Sequence, residues 1–443
     1  MSADLPGRTL AELIGLLRAG TVSASELASA CLDAVAARED DLRAWAHLDP
    51  DAAMARAREL DAVPAGERGP LHGIPVGIKD IIDTADLPTE YGSPIYAGHH
   101  PAEDADVVAR LRRAGAIILG KTVTTEFALF HPGATTNPHD PARTPGGSSS
   151  GSAAAVGAGT VPLALGTQTA GSIVRPASYC GVVGVKPTFG RVSTRGVKAC
   201  SRSLDTIGTF TRDVDGADAV LRVLGGVDAN DPEPAAGALA AGRALRVGFA
   251  RTPEWHEVPA DSRGRIEQAV QKVAAGFGVR DVELPEAFSG LVEAQKCLML
   301  VEVTRELADE RAHHGDQLST RLQDVLAHGD RMTWAYEAAK AHVRHCRGLL
   351  DDVFGDVDVL LAPSVLGEAP PIDEGTGDPV LCRAWTALGT PAVAVPGLTG
   401  PAGLPLGVQV VAAPGRDDLA LEGARQLGRS LRDREHLSSH VAR

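Results

Sequence analysis

Three short stretches hold residues that could act on a substrate together. TPGGSSSGSAAAVGAG, Thr144–Gly159, carries no charge and is mostly glycine, serine and alanine. ALGTQTAGSIVRPASYCGVVGVKP, from Ala164, places Ser172 directly after Thr169, Ala170 and Gly171. GIPVGIKDIID, from Gly73, offers Lys79. The first stretch is not a phosphate loop, because no lysine follows Gly151 at the spacing a Walker motif needs. Gly147-Ser148-Ser149-Ser150-Gly151 fits the GxSxG pattern of a nucleophile elbow, but an elbow follows a strand. NPHDPARTPG, which precedes it, has three prolines and cannot be a central strand. A flexible linker is also excluded for the region, since VPLALG and CGVVGV can bury surface. Around Ser172 the reading is different. A turn of small residues ending in serine can aim consecutive backbone N–H groups at one point, an oxyanion hole with a nucleophile at its edge. If GIPVGIK is a strand, Lys79 shares a face with only Pro75 and Gly77, so a lysine there can be buried. A buried lysine without a carboxylate beside it loses basicity toward neutrality and can serve as a base. Each residue has a plainer reading: Lys79 as a strand-end lysine paired with Asp80, Ser148 as a turn serine, and Ser172 as the N-cap of a helix over IVRPA.

The elements that must position these residues alternate between helix and strand. Leu10, Leu13, Ile14 and Leu17, then Leu27, Cys31 and Val35, give helical periodicity over residues 8–38. DVVARLRRAG followed by AIILGK reads as helix, glycine stop and strand. LRVGFA is a predicted strand, residues 261–278 a helix and VRDVELP a strand. Residues 286–355 are a long helical segment, and VDVLLAP, TPAVAVP and LPLGVQVVA are the last strands. There is no short tandem repeat and no clean linker, so the expectation is one α/β domain over residues 1–443. Within it, 1–65 form a helical lead-in, 66–215 carry the catalytic core motifs, and 286–355 cover the substrate. The loop GEAPPIDEGTGDP, 367–379, is expected to join in that cover. Trp334 and Trp385 are expected in the core, and Asp205 either supports the site or lines it.

Bulk properties exclude several classes. The formal net charge of −14 argues against broad nucleic-acid binding. No run of about 18 apolar residues suggests a membrane span, and the N-terminus lacks the pattern of a signal peptide. The six cysteines form no CxxC pair, and read as buried thiols of a cytoplasmic protein. The His99-His100 and His313-His314 doublets lack an HExxH partner, so no metal is expected.

GIPVGIKD, PGGSSSGS and LGTQTAGSIVRPASYCGVVGV, in this order, resemble the motifs of the amidase signature family, and GPAGLPLGVQVVAAPGRDD extends the likeness toward the C-terminus. The resemblance implies a mixed, twisted central sheet covered by helices on both faces. It implies a catalytic triad of Ser172 as nucleophile, Ser148 as bridging serine with a cis peptide bond to Gly147, and Lys79 as ultimate base. The N–H groups of Thr169, Ala170, Gly171 and Ser172 would form the oxyanion hole, with Gly147, Ser149, Thr167 and Gln168 in support. No cofactor is implied.

Two departures from the family pattern matter. Ala170-Gly171 stands where the family has Gly-Gly, and Gln168 where it has aspartate. Arginine follows the nucleophile by three residues rather than two, and with GTQT and GSSSGS this is similar to the malonamidase branch. There Arg175 would grip a substrate carboxylate through its guanidinium fork; its plainer reading is an internal salt bridge. The expected reaction is hydrolysis of a small acidic amide such as a dicarboxylic acid monoamide, with ammonia released, at neutral to alkaline pH. Allophanate or carboxybiuret hydrolysis uses the same arginine. The A subunit of a glutamine-dependent tRNA amidotransferase, which works with partner subunits and channels ammonia, shares the motifs. A catalytically silent scaffold is the reading from another class. A homodimer is expected only as the commonest oligomer.

Overall fold

The computed structural model describes residues 5–225 and 244–432. Eleven strands form one mixed sheet: β1 Trp45–Leu48, β2 Pro75–Lys79, β3 Ile117–Thr122, β4 Leu163–Gln168, β5 Val183–Lys186, β6 Thr206–Thr211, β7 Val247–Ala250, β8 Val279–Val282, β9 Val359–Pro363, β10 Ala392–Thr399 and β11 Pro405–Ala412. Their order across the sheet is β1-β3-β2-β4-β6-β5-β10-β11-β9-β7-β8. β2 runs parallel to both β3 and β4. β6 is antiparallel to β4 and β5. The hairpin β10–β11 is antiparallel to β5 on one side and to β9 on the other. The last two strands of the chain therefore lie in the middle of the sheet.

Burial explains why these runs form strands. β2, β3, β4 and β6 are buried at every position, as strands covered on two faces must be, and such strands lose the apolar–polar alternation of a half-exposed sheet. The covering helices lie on both faces. On β11, Gly407 faces Ser178 of the helix Val174–Cys180, while Val410, of opposite parity, meets Gly423 of the helix Asp417–Arg432. At the N-terminus, Thr9 with Glu12 and Ser23 with Glu26 close capping boxes that start the helices Leu10–Arg18 and Ala24–Ala36.

Residues 286–355 fold into the helices Leu291–Glu306, Ala308–His314, Thr320–Met332, Tyr336–Arg347 and Leu350–Phe354. Glu302 fastens the first of them to the loop before β6. It accepts hydrogen bonds from Ser201 Oγ and from the N–H and Oγ of Ser203, and from Tyr336 Oη within the helical segment. Trp385 is buried as expected. Trp334 is not: it is 87% exposed, because it falls on the short connection Thr333–Ala335, which turns outward between two helices. All six cysteines are buried and free.

Candidate active site

The three stretches of the sequence converge at the C-terminal ends of β2 and β4. β2 delivers Lys79 into the interior, where it is fully buried. Its ammonium donates to Ser148 Oγ and to Thr167 Oγ1, both at 2.7 Å. The neighbouring Asp80 does not pair with it. Asp80 pairs with Lys121 of β3 at 3.2 Å instead, which leaves Lys79 among hydroxyls. Burial pushes the Lys79 ammonium down to about 7, against an opposing pull from Cys200 and Asp205. A lysine in this state is partly neutral at physiological pH and can accept a proton.

Ser148 sits before the helix Ser150–Gly157, and its peptide bond with Gly147 is cis. Its carbonyl accepts from Thr125 N–H. Ser149 is tied to β4, donating to Thr167 O and accepting from Thr167 N–H. A side chain on Gly166 would press on Ser149 Oγ at 2.7 Å, so a glycine in β4 lets this turn lie against the sheet.

Ser172 lies at the end of the turn that links β4 to the helix Val174–Cys180, and is 7% exposed. It is not the N-cap of that helix, whose cap position is Ile173 and has no side-chain capping bond. The first N–H groups of the helix are held instead by Gln168, whose Oε1 accepts from Ile173 and Val174. Gln168 also donates through Nε2 to Thr386 Oγ1, which in turn donates to Ala170 O. An aspartate could accept from Ile173 and Val174 but could not donate to Thr386. The N–H groups of Ala170, Gly171 and Ser172 donate to no protein acceptor among the described residues. Ala170 does not adopt positive φ, so its methyl group is accommodated. Gly171 is required by packing: a Cβ there would come within 2.8 Å of Pro379 Cβ and 3.1 Å of Cys382 Cβ.

Asp205 lies behind this turn and is half-buried. It accepts from Thr169 Oγ1 at 2.5 Å and from the N–H groups of Cys200 and Ser201. Burial pushes its carboxyl up to about 6, although these hydrogen bonds act in the other direction. With Thr167, Thr169 and Cys200 it borders a cavity of about 10 Å³, close to the space of one water.

Arg175 makes contacts other than those expected. Its terminal nitrogens donate to Gly377 O at 2.5 Å and to Gly147 O at 2.6 Å, with Thr376 Oγ1 at 3.4 Å. It clamps the carbonyl just before Ser148 to the 367–379 loop. Three further residues belong to the site and escape the sequence reading: Gln295, Arg383 and Thr386. Gln295 Nε2 donates to Thr169 O at 2.8 Å, and Arg383 Nη1 donates to Gln295 Oε1. Their signal is present in the sequence, since each interrupts a buried helix: Gln295 in LVEAQKCLML, and Arg383 and Thr386 in VLCRAWTAL. A cleft of about 550 Å³ opens beside the turn, bordered by Phe130, Tyr179, Thr376, Gly377, Pro379 and Arg383. Among the described residues, no group of three or more His, Cys, Asp or Glu side chains could hold a metal ion. No helix among them is long and apolar enough to cross a membrane.

Such a fold, with a buried lysine joined to a serine on a cis peptide, is that of an amide hydrolase. The chain belongs to the amidase family, whose model matches residues 26–421. The A subunit of glutamyl-tRNA(Gln) amidotransferase from Lysinibacillus sphaericus is 34% identical over 91% of this chain and 92% of its own length. The corresponding protein of Acidothermus cellulolyticus is 36% identical over 98% and 96%. Among solved structures, the native peptide amidase of Stenotrophomonas maltophilia superposes with a TM-score of 0.81 at 33% identity, covering 96% of this chain and 97% of that one. A structure described as a vestigial protein complex that reveals the evolutionary origins of an s-triazine catabolic enzyme superposes with a TM-score of 0.87 at 31% identity, covering 96% and 98%.

Proposed function

We propose that this amidase hydrolyses the carboxamide of a small, carboxylate-bearing amide through an acyl-enzyme on Ser172, releasing ammonia. The observation that carries the reading is the bond from buried Lys79 to Ser148, with no carboxylate among the described residues in contact with the ammonium. Neutral Lys79 takes the proton of Ser148 as Ser148 takes that of Ser172, and Ser172 Oγ attacks the amide carbon. The developing oxyanion is met by N–H groups of the turn Thr169–Ser172. The proton returns through Ser148 to the nitrogen as the C–N bond breaks, and ammonia leaves. Water then attacks the acyl ester by the same relay and regenerates Ser172, so amide and water give acid and ammonia.

Thr167 steadies Lys79, Gln168 and Ser149 fix the turn against β4, and Asp205 holds Thr169. Arg175 is assigned to positioning Gly147 and the 367–379 loop, because its Nη1 donates to Gly377 O and its Nη2 to Gly147 O. The helical segment 286–355 and that loop form the walls around the substrate.

The curated relatives favour a second reading of the same chemistry. Several glutamyl-tRNA(Gln) amidotransferase A subunits match at 34% to 37% identity over most of the chain. On that reading the substrate is glutamine, and an assembly with partner proteins chooses it rather than this chain alone. Ammonia release from malonamate, succinamate, allophanate, L-glutamine and propionamide, measured side by side, separates the readings. Release from short acidic amides by the isolated chain, abolished in Ser172→Ala, is the expected result. Turnover of glutamine alone, rising with a co-purifying partner protein, would favour the amidotransferase. Release that survives Ser172→Ala would reject both.

A further inference from the structure

We infer that Arg383 is the anchor for a carboxylate on the acyl side of the substrate, an inference that rests on Ser172 being the nucleophile. Arg383 lies in the helix Val380–Leu388, whose first turn packs on Gly171 through Pro379 and Cys382. Its side chain is 4% exposed and lines the cleft beside the Ser172 turn. A guanidinium has five N–H donors. Among the described residues, one bond to protein is present, from Nη1 to Gln295 Oε1, and Nε is buried without a partner. No carboxylate forms an ion pair with it among the described residues. The two acidic groups that act on it, Asp378 and Glu293, do so only at a distance, while Arg175 opposes it as a second positive charge. Burial lowers its pKa to about 10, which still leaves it protonated at neutral pH.

An uncompensated buried cation is unfavourable by itself. Here it is connected through Gln295 to the carbonyl of Thr169, in the turn that would hold the oxyanion. A planar fork with free donors in a cleft is suited to a carboxylate, which would neutralise the charge and take the open N–H groups together. The ligand class is a monoamide of a short dicarboxylic acid, or an amino acid with a side-chain amide and a free α-carboxylate. Both amide readings share this chemistry.

The test is protection of the purified full-length chain against a fluorophosphonate that labels Ser172. Malonate, succinate and L-glutamate are compared with malonamide and succinamide as competitors. The expected result is that at least one of the dicarboxylates slows labelling at lower concentration than the neutral diamides. In Arg383→Gln its half-protecting concentration should rise about thirtyfold or more, as for loss of one partner of a buried charge pair. Arg383→Lys, which keeps the charge but loses the fork, should fall between the two, and it carries the test if the glutamine variant does not fold. Dicarboxylates no better than diamides in the wild type, or undiminished protection in the variants, would overturn the assignment. Arg321 also borders the cleft, and loss of protection in Arg321→Ala but not in Arg383→Gln would move the anchor there and overturn the assignment too. A wild-type chain that is never labelled would instead remove Ser172 as the nucleophile, which is a separate failure.

Discussion

At the scale of single residues, the site depends on a lysine that pairs with no carboxylate among the described residues. Asp80 is next in sequence but is spent on Lys121, and Asp205 is near enough to act on Lys79 electrostatically without touching it. The sign of the pH dependence follows. The base form of Lys79 is present above about 7 and is lost as pH falls through that value, so kcat/KM should decline on the acid side. Because the charge of Asp205 raises the pKa of Lys79, Asp205→Asn should move that acid limb to lower pH, by about one pH unit. A limb that stays in place while only the rate drops would assign Asp205 to holding Thr169 and nothing more. The pH–rate profile separates these outcomes, since a purely structural loss would not shift it.

At the scale of elements, the close packing of the nucleophile turn sets what can be changed. Gly171 faces Pro379 and Cys382 with no room for a methyl group. Gly171→Ala should therefore cost about 1–3 kcal/mol of stability, as overpacking of a tight core does, and should lower labelling of Ser172 by a fluorophosphonate. Denaturant unfolding and labelling measure the two effects. The same turn shows how far the sequence can be read. Lys79, Ser148 and Ser172 stand out because their motifs are local and unusual. Strands such as IPVGIK and LPLGVQVVA are legible because a continuous apolar run needs only its own neighbours to declare itself. Ala170, the departure from the family pattern, is unstrained, while Gly171 is constrained by residues more than two hundred positions away. Gln295 and Arg383 are hidden for the same reason, because a polar side chain in an apolar helix reveals that it has a task but not where its partner lies. For Arg175, spacing gives the distance from Ser172 and not the bonds to Gly147 and Gly377.

At the scale of the molecule, the sheet joins two blocks. Six strands from residues 45–211 lie on one side, three from residues 247–363 on the other, and the hairpin β10–β11 lies between them. A chain that ends at residue 390 would contain Lys79, Ser148, Ser172, Arg175 and Arg383 but lack this hairpin. It is expected to show no fluorophosphonate labelling and broad loss of amide hydrogen-exchange protection in β5 and β9, whereas labelling at wild-type rate would show that the first block builds the site alone. The position of the hairpin also orders events during synthesis. All three residues of the proposed relay emerge from the ribosome in the first half of translation, yet β5 and β9 find their shared neighbour only after Ala412 has been made. A nascent chain thus holds its proposed nucleophile for most of its synthesis before the support around it can close.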